Sequence, residues 1–165
     1  MPWTTPKTDW AIQPRDQYGR YNGDWFNWQD YERIRENIEH LAELGRRLYW
    51  PFALEKMWTI DETVVAYPEY TGYTSGVITD AMRYSAPVDV DKQINPIERN
   101  LDILADVIYR PVDFPATKTW LKNGSTPTFD DLNRWETVLL NLYDALGRSM
   151  SFKMPTPMGL GKEVF

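Results

Sequence analysis

The segment Tyr31-Glu-Arg-Ile34-Arg-Glu-Asn-Ile38-Glu-His-Leu41 decides the fold, because its apolar residues recur at steps of three and four. That spacing places them on one side of an α-helix. Two further segments have the same pattern, with apolar residues at matched positions: Ile94, Ile97, Leu101 and Leu104 in one, and Leu132, Trp135, Leu139 and Leu142 in the other. We therefore predict a mainly α fold, in which an internal repeat supplies three amphipathic helices that form a small bundle.

Signals at both ends of each copy set the predicted helix boundaries. Each copy opens with an N-cap residue followed three residues later by an acid: Asn27 with Asp30, Asn95 with Glu98, and Thr128 with Asp131. Each closes near a proline or glycine: Pro51, Pro111 and Gly147. The predicted helices span about residues 28–48, 96–109 and 129–147. Within the first, Gly45 replaces an aliphatic residue of the other copies and favours close approach of a neighbouring helix.

The remaining sequence predicts extended arms around this helical body. At 165 residues the chain is one domain by length. Its predicted parts are an extended arm over residues 1–26, a body over 27–147 with an irregular insert at 50–94, and an extended tail over 148–165. Inside the insert we predict short strands at Met57–Ile60 and Thr63–Tyr67, a turn at Tyr70–Tyr73 and a short helix over residues 77–84.

Composition excludes several classes of function. Acids outnumber bases 24 to 18, and the resulting charge of −6 argues against nucleic-acid binding. Without cysteine there is no disulfide, thiolate metal site or cysteine nucleophile, and His40 is the only histidine. No apolar run approaches the length of a membrane span, and the opening residues predict no signal peptide. We expect a protein that stays in the cytoplasm or leaves it inside a larger particle.

The search for catalytic and cofactor motifs yields weak candidates. Two carboxylate pairs, Asp61-Glu62 and Asp130-Asp131, permit a small hydrolase as a low-ranking hypothesis, although acids in a first helical turn need no catalytic explanation. The segment beginning Asp89-Val-Asp91 lacks the glycine and final glutamate of a calcium loop. We therefore predict a protein that is not an enzyme and has no cofactor and no metal.

Aromatic residues are unusually abundant, at 15% of the chain. Aromatic side chains either fill a core or mark an interface, and both alternatives remain open for each of them here. The predicted partner-binding residues are Trp3, Trp10, Trp25, Trp28, Trp50, Trp120 and Phe165. A second short repeat, Lys7-Thr-Asp-Trp10 and Lys118-Thr-Trp120, suggests that strand-like arms lead into the first and third helices.

Three stretches carry a family resemblance: Pro2-Trp-Thr-Thr-Pro-Lys-Thr-Asp-Trp10, the block from Asp24 to Leu41, and the block from Lys118 to Glu136 with its Asn123-Gly-Ser-Thr-Pro-Thr-Phe. They resemble small virion proteins of the tail and baseplate region of bacteriophages and phage-tail-like particles of Gram-positive hosts. The resemblance covers about half of the chain and includes no catalytic residue.

The resemblance implies a structural connector or fibre-attachment protein located in the virion and assembled in the host cytoplasm. Its implied partners are other virion proteins and further copies of itself in a symmetric assembly. The alternative hypothesis is a carbohydrate-binding module that recognises host surface glycans through exposed tryptophans.

Overall fold

The three repeated segments form the three long helices of the computed structural model, which describes residues 2–11, 16–20 and 23–153. The α-helices of that part are α1 (Trp28–Leu48), α2 (Ile60–Ala66), α3 (Pro68–Thr71), α4 (Asp80–Ser85), α5 (Asn95–Val107) and α6 (Phe129–Lys153). One π-helical turn, Val90–Ile94, leads directly into α5. The mainly helical prediction is confirmed, and no strand occurs within the described ranges.

The predicted apolar stripes form the core. All of the matched apolar positions are buried in one cluster: Tyr31, Ile34, Ile38 and Leu41; Ile94, Ile97, Leu101 and Leu104; and Leu132, Trp135, Leu139 and Leu142. Burial of these faces supplies most of the stability of the helices, because short helices are marginal in water on their own. No helix of the described ranges is both long enough and apolar enough to cross a membrane.

The three long helices run in the same direction. Contacts along α1 and α6 advance together, from Arg33 with Glu136 near their beginnings to Tyr49 with Ser149 near their ends. Glu98 near the beginning of α5 binds Arg134 near the beginning of α6, and Val107 at the end of α5 packs beside Gly45 near the end of α1. The chain must therefore return along the bundle between successive helices.

Extended segments, which we call ribbons, lie on the helices, and the second and third of them make part of that return. They are ribbon 1 (residues 2–11), ribbon 2 (residues 52–59) and ribbon 3 (residues 114–121). Ribbon 1 is bonded to α1 at Thr4 and to α6 at Trp10. Ribbon 2 is bonded to α5 at Glu55, and ribbon 3 is bonded to α5 at Trp120.

The predicted irregular insert contains helices, and its two predicted strands are wrong. Thr59 begins α2 with a capping box, in which its hydroxyl accepts from the Glu62 N–H while Glu62 accepts from the Thr59 N–H. This local signal outweighs the β-branched residues that favoured strands. The predicted turn is α3 followed by Gly72 in the left-handed region, at φ 73°. The predicted short helix is α4.

Two of the predicted helix boundaries are also wrong. Helix α6 continues past Gly147 to Lys153, so the predicted tail is helical over 148–153, and the rest of that tail lies outside the described residues. Asn95 is not an N-cap, because the π-helical turn precedes it and its side chain binds a ribbon instead. By contrast, Asn27 and Asp30 form the predicted capping box of α1.

The two helical glycines provide a test of this packing. A Cβ on Gly147 meets no other atom within 4 Å, whereas a Cβ on the buried Gly45 lies 3.3 Å from the Phe52 ring. We expect Gly147→Ala to raise the free energy of unfolding by about 0.5–1 kcal/mol, the usual propensity gain. We expect Gly45→Ala to gain nothing, because displacing Phe52 offsets the same propensity term. Urea denaturation measures both, and equal gains would contradict the close packing at Gly45.

Candidate interaction surfaces

Four asparagine side chains on the long helices bind the backbone of the ribbons. In every case Oδ1 accepts from the N–H of one ribbon residue and Nδ2 donates to the carbonyl of the same residue. The pairs are Asn37 with Thr4 (3.0 and 2.7 Å), Asn100 with Glu55 (2.7 and 2.8 Å), Asn95 with Trp120 (2.8 and 2.9 Å) and Asn133 with Trp10 (2.8 and 2.9 Å). These amides pair with partly buried backbone groups of the ribbons, which form no sheet that would satisfy them.

The buried carboxylate of Glu98 joins ribbon 3 to two helices. It accepts from the guanidinium of Arg134 and from the indole N–H groups of Trp120 (3.1 Å) and Trp135 (2.9 Å). Burial pushes the pKa of Glu98 upward, but these donors outweigh it and the net pKa lies below its usual value. Glu98 is therefore held as a carboxylate.

The buried carboxylate of Glu136 occupies a similar position beneath ribbon 1. It accepts from the guanidinium of Arg33, from the Lys7 N–H at 2.9 Å and from the Trp10 indole at 3.4 Å. Burial raises the pKa of Glu136 above its usual value despite the opposing effect of Arg33. The difference from Glu98 follows from the donors, because Glu98 accepts from two guanidinium and two indole N–H groups, whereas Glu136 accepts from one of each and its Trp10 bond is long.

These buried charges fix the ribbons and are enclosed by their own partners. Of the acids considered for hydrolysis, Asp61 binds Arg83, while Asp131 binds Lys118 and the Thr128 N–H. Within the described ranges, no group of three or more His, Asp or Glu side chains is placed to hold a metal ion.

The predicted partner-binding aromatics are dispersed between core and surface. Trp10 is 5% exposed and belongs to the core. Trp25 and Trp50 are 69% and 52% exposed. The remaining described ones are half-buried: Trp3, which stacks on Tyr143 at 4.1 Å between ring centroids, Trp28 and Trp120. Phe165 lies outside the described residues.

One cleft brings two of the predicted tryptophans together. This aromatic cleft has a volume of about 360 Å³ and is lined by Trp25, Trp28, Tyr31, Arg83, Tyr84 and Val88, among others. Tyr84 packs edge-on against Trp28, and the Arg83 guanidinium lies 5.4 Å from the Trp28 ring centroid. Tyr84 and Val88 come from the insert, and sequence reasoning missed them because no periodicity there marks an exposed aromatic surface.

A second concave surface, the α6 groove, runs along α6 beside residues 109–115, which include the beginning of ribbon 3. Its volume is about 550 Å³, and its lining includes Phe114, Pro115, Val138 and Leu142. Asn141 and Arg148 add polar groups along the same groove. The groove is thus a mixed apolar and polar surface. Comparison of the chain with models of protein families, with curated proteins and with solved structures finds no match.

Proposed function

We propose that this protein is a non-enzymatic structural component of a phage virion or phage-tail-like particle, namely a tail or baseplate connector or a fibre-attachment protein. The observation that carries the proposal is the contrast between interior and surface. The buried carboxylates Glu98 and Glu136 are bonded to their own chain, whereas large aromatic side chains such as Trp25 and Trp50 are exposed. Exposed aromatics are typical of protein interfaces. The resemblance to tail and baseplate proteins supports the same conclusion.

The ribbon contacts also support an internal repeat of ribbon and helix. Ribbon 1 links α1 to α6 through Asn37 and Asn133. Ribbon 2 links α5, through Asn100, to α1. Its contact with α1 is made by Ile60, the residue that follows the ribbon, whose N–H donates to Glu32 at 2.7 Å. Ribbon 3 links the α6 groove to Asn95 on α5. Three related ribbon–helix units would give the body three similar sides, which suits contacts with a symmetric set of neighbours.

Val138 is the exception to the pattern of asparagines that bind a ribbon, and its apolar side chain is consistent with the proposed repeat. In the sequence repeat it occupies the position of Asn37 and Asn100. Pro115 of ribbon 3 lines the same α6 groove as Val138 and has no N–H to donate. An asparagine at position 138 that faced Pro115 would lack one of the two backbone hydrogen bonds that the other asparagines form. Replacing it by valine therefore costs little free energy.

Peptide mass spectrometry of density-purified particles from the source strain tests the proposed function. A structural component is expected at a fixed ratio to the tail-tube protein, and that ratio reports the symmetry of its position. Abundance in the lysate with absence from purified particles would contradict the proposal.

The second candidate function is glycan recognition, which the exposure of Trp25 and Trp50 favours, because sugar rings stack on exposed indoles. Intrinsic tryptophan fluorescence measured across a panel of host cell-wall glycans tests it. A saturable change that Trp25→Ala or Trp50→Ala removes would support binding, and no response across the panel would eliminate it.

A further inference from the structure

The aromatic cleft and the end of α6 lie at opposite ends of the bundle. The cleft is built around the beginning of α1, at Asn27 and Trp28. Helix α6 runs parallel to α1, and its Ser149 contacts Tyr49 just beyond the end of α1. Lys153, the last residue of α6, therefore lies at the end of the bundle remote from the cleft, and Met-Pro-Thr-Pro-Met, residues 154–158, follows it in the sequence.

The cleft has the chemistry that recognises an extended proline-containing segment. Trp25, Tyr84 and Val88 present exposed apolar surface, and the Trp28 indole nitrogen is buried with no acceptor among the described residues. Aromatic grooves bind polyproline II segments because the proline rings pack on the aromatic faces and the backbone carbonyls accept hydrogen bonds. A carbonyl of such a segment would supply the acceptor that the Trp28 N–H lacks.

Charge favours the same occupant. On the rim of the cleft, Arg83 is bonded to both Asp61 and Asp80, so these three groups together carry a net charge of −1. The Pro-Thr-Pro sequence is flanked instead by the cations Lys153 and Lys162, with one acid, Glu163, beyond them. A positively charged segment approaching an acidic rim is attracted rather than repelled.

Distance requires that the occupant come from a second copy. Helix α1 has 21 residues and is therefore about 30 Å long. The four residues from 154 to 157 span at most about 14 Å when fully extended. The Pro-Thr-Pro sequence therefore cannot reach the cleft of its own chain.

We propose that the Met154–Met158 segment of one copy binds in the aromatic cleft of another copy, which joins the copies head to tail. A head-to-tail contact uses different surfaces on the two partners and generates rings or filaments. This inference rests on the proposed function and deepens it by naming a contact through which copies would assemble.

Two measurements on the full-length protein test the contact. The first is fluorescence anisotropy of a labelled synthetic peptide of residues 153–163. Saturable binding is expected, weakened about tenfold or more by Trp25→Ala with Tyr84→Ala, or by Pro155→Ala with Pro157→Ala in the peptide. Trp28→Phe keeps a ring in place but removes the N–H, and is expected to weaken binding about three- to tenfold. Tyr70→Ala, an exposed aromatic residue that does not line the cleft, is the control and should leave the affinity unchanged.

The second measurement is sedimentation velocity of the full chain over a concentration series. Association that increases with concentration and is lost in the Pro155→Ala, Pro157→Ala chain is expected. Absence of peptide binding at about 1 mM, or unchanged binding by the cleft variants, overturns the proposal. Self-association that survives the proline substitutions also overturns it, because another surface then joins the copies. Neither measurement depends on whether the protein occurs in particles, so each proposal can fail alone.

Discussion

Replacing Glu98 by glutamine is expected to lower the free energy of unfolding by about 3–5 kcal/mol at pH 7, as for other broken buried ion pairs. The substitution keeps the size of the side chain but removes the charge opposite Arg134, whose side chain is 16% exposed. It also replaces one accepting carboxylate oxygen by an amide N–H₂, which then faces either the indole N–H groups of Trp120 and Trp135 or the guanidinium of Arg134. Urea denaturation followed by circular dichroism measures the loss.

Glu136→Gln is the matched control, because the same type of residue lies beneath ribbon 1 with its pKa shifted in the opposite direction. Burial disfavours the charged form of Glu136. A neutral amide there therefore removes the free-energy cost of burying a charge as well as the ion pair with Arg33. Arg33 also keeps a second partner, Asp30 at 2.8 Å. We therefore expect a loss of about 1–2 kcal/mol at pH 7, in the range of a single buried hydrogen bond.

The pH dependence separates the two residues further. The lowered pKa of Glu98 supplies stability that is present above the usual glutamate value of 4.5 and is lost as the pH falls through the folded-state pKa. The raised pKa of Glu136 supplies stability that is present below 4.5 and is lost as the pH rises through the folded-state pKa. The deficit of Glu98→Gln should therefore shrink below pH 4.5, and that of Glu136→Gln should shrink above it. Parallel pH profiles would contradict the two assignments.

Periodicity predicted the long helices and their buried faces because both depend on residues three and four apart. The ribbon contacts depend on residues much farther apart, and the local pattern did not reveal them. Asn95 illustrates the difference, since it has the sequence context of an N-cap but binds Trp120, which lies 25 residues away. Gly147 does not end α6, because a glycine inside a packed helix lowers the free energy of unfolding by only about 1 kcal/mol.

The candidate surface was predictable only in part. Trp25 and Trp28 were identified from aromatic abundance, but abundance does not distinguish the exposed Trp25 from the buried Trp10. Trp10 is buried because ribbon 1, to which it belongs, packs against α6. Tyr84 reaches the cleft because the insert folds over the beginning of α1, where Gln29 donates to the Tyr84 hydroxyl at 3.0 Å. Both events are tertiary, and no local signal encodes them.

Trp10→Ala and Trp25→Ala are expected to separate these two roles experimentally. Trp10 packs between Phe26 and Phe129, with ring centroids 5.9 and 5.8 Å away, and the Lys7 ammonium lies 5.2 Å from its ring centroid. Removing a buried tryptophan side chain costs about 3–5 kcal/mol, and the loss here falls on the contact that holds ribbon 1 to α6. Urea denaturation should therefore show a loss of that size for Trp10→Ala. Hydrogen exchange should show faster exchange at the Lys7 and Trp10 amides, whose acceptors lie on α6.

Trp25→Ala is the matched control, because the same substitution at an exposed site should change the free energy of unfolding by no more than about 0.5 kcal/mol. Its expected effect is on binding of the 153–163 peptide instead. A stable Trp10→Ala protein with unchanged exchange in ribbon 1 would contradict the core role of Trp10. A strongly destabilised Trp25→Ala protein would show that Trp25 serves the fold, which would remove it from the proposed interface. The pair thus distinguishes a tryptophan that holds a ribbon on the bundle from one that takes part in the proposed contact.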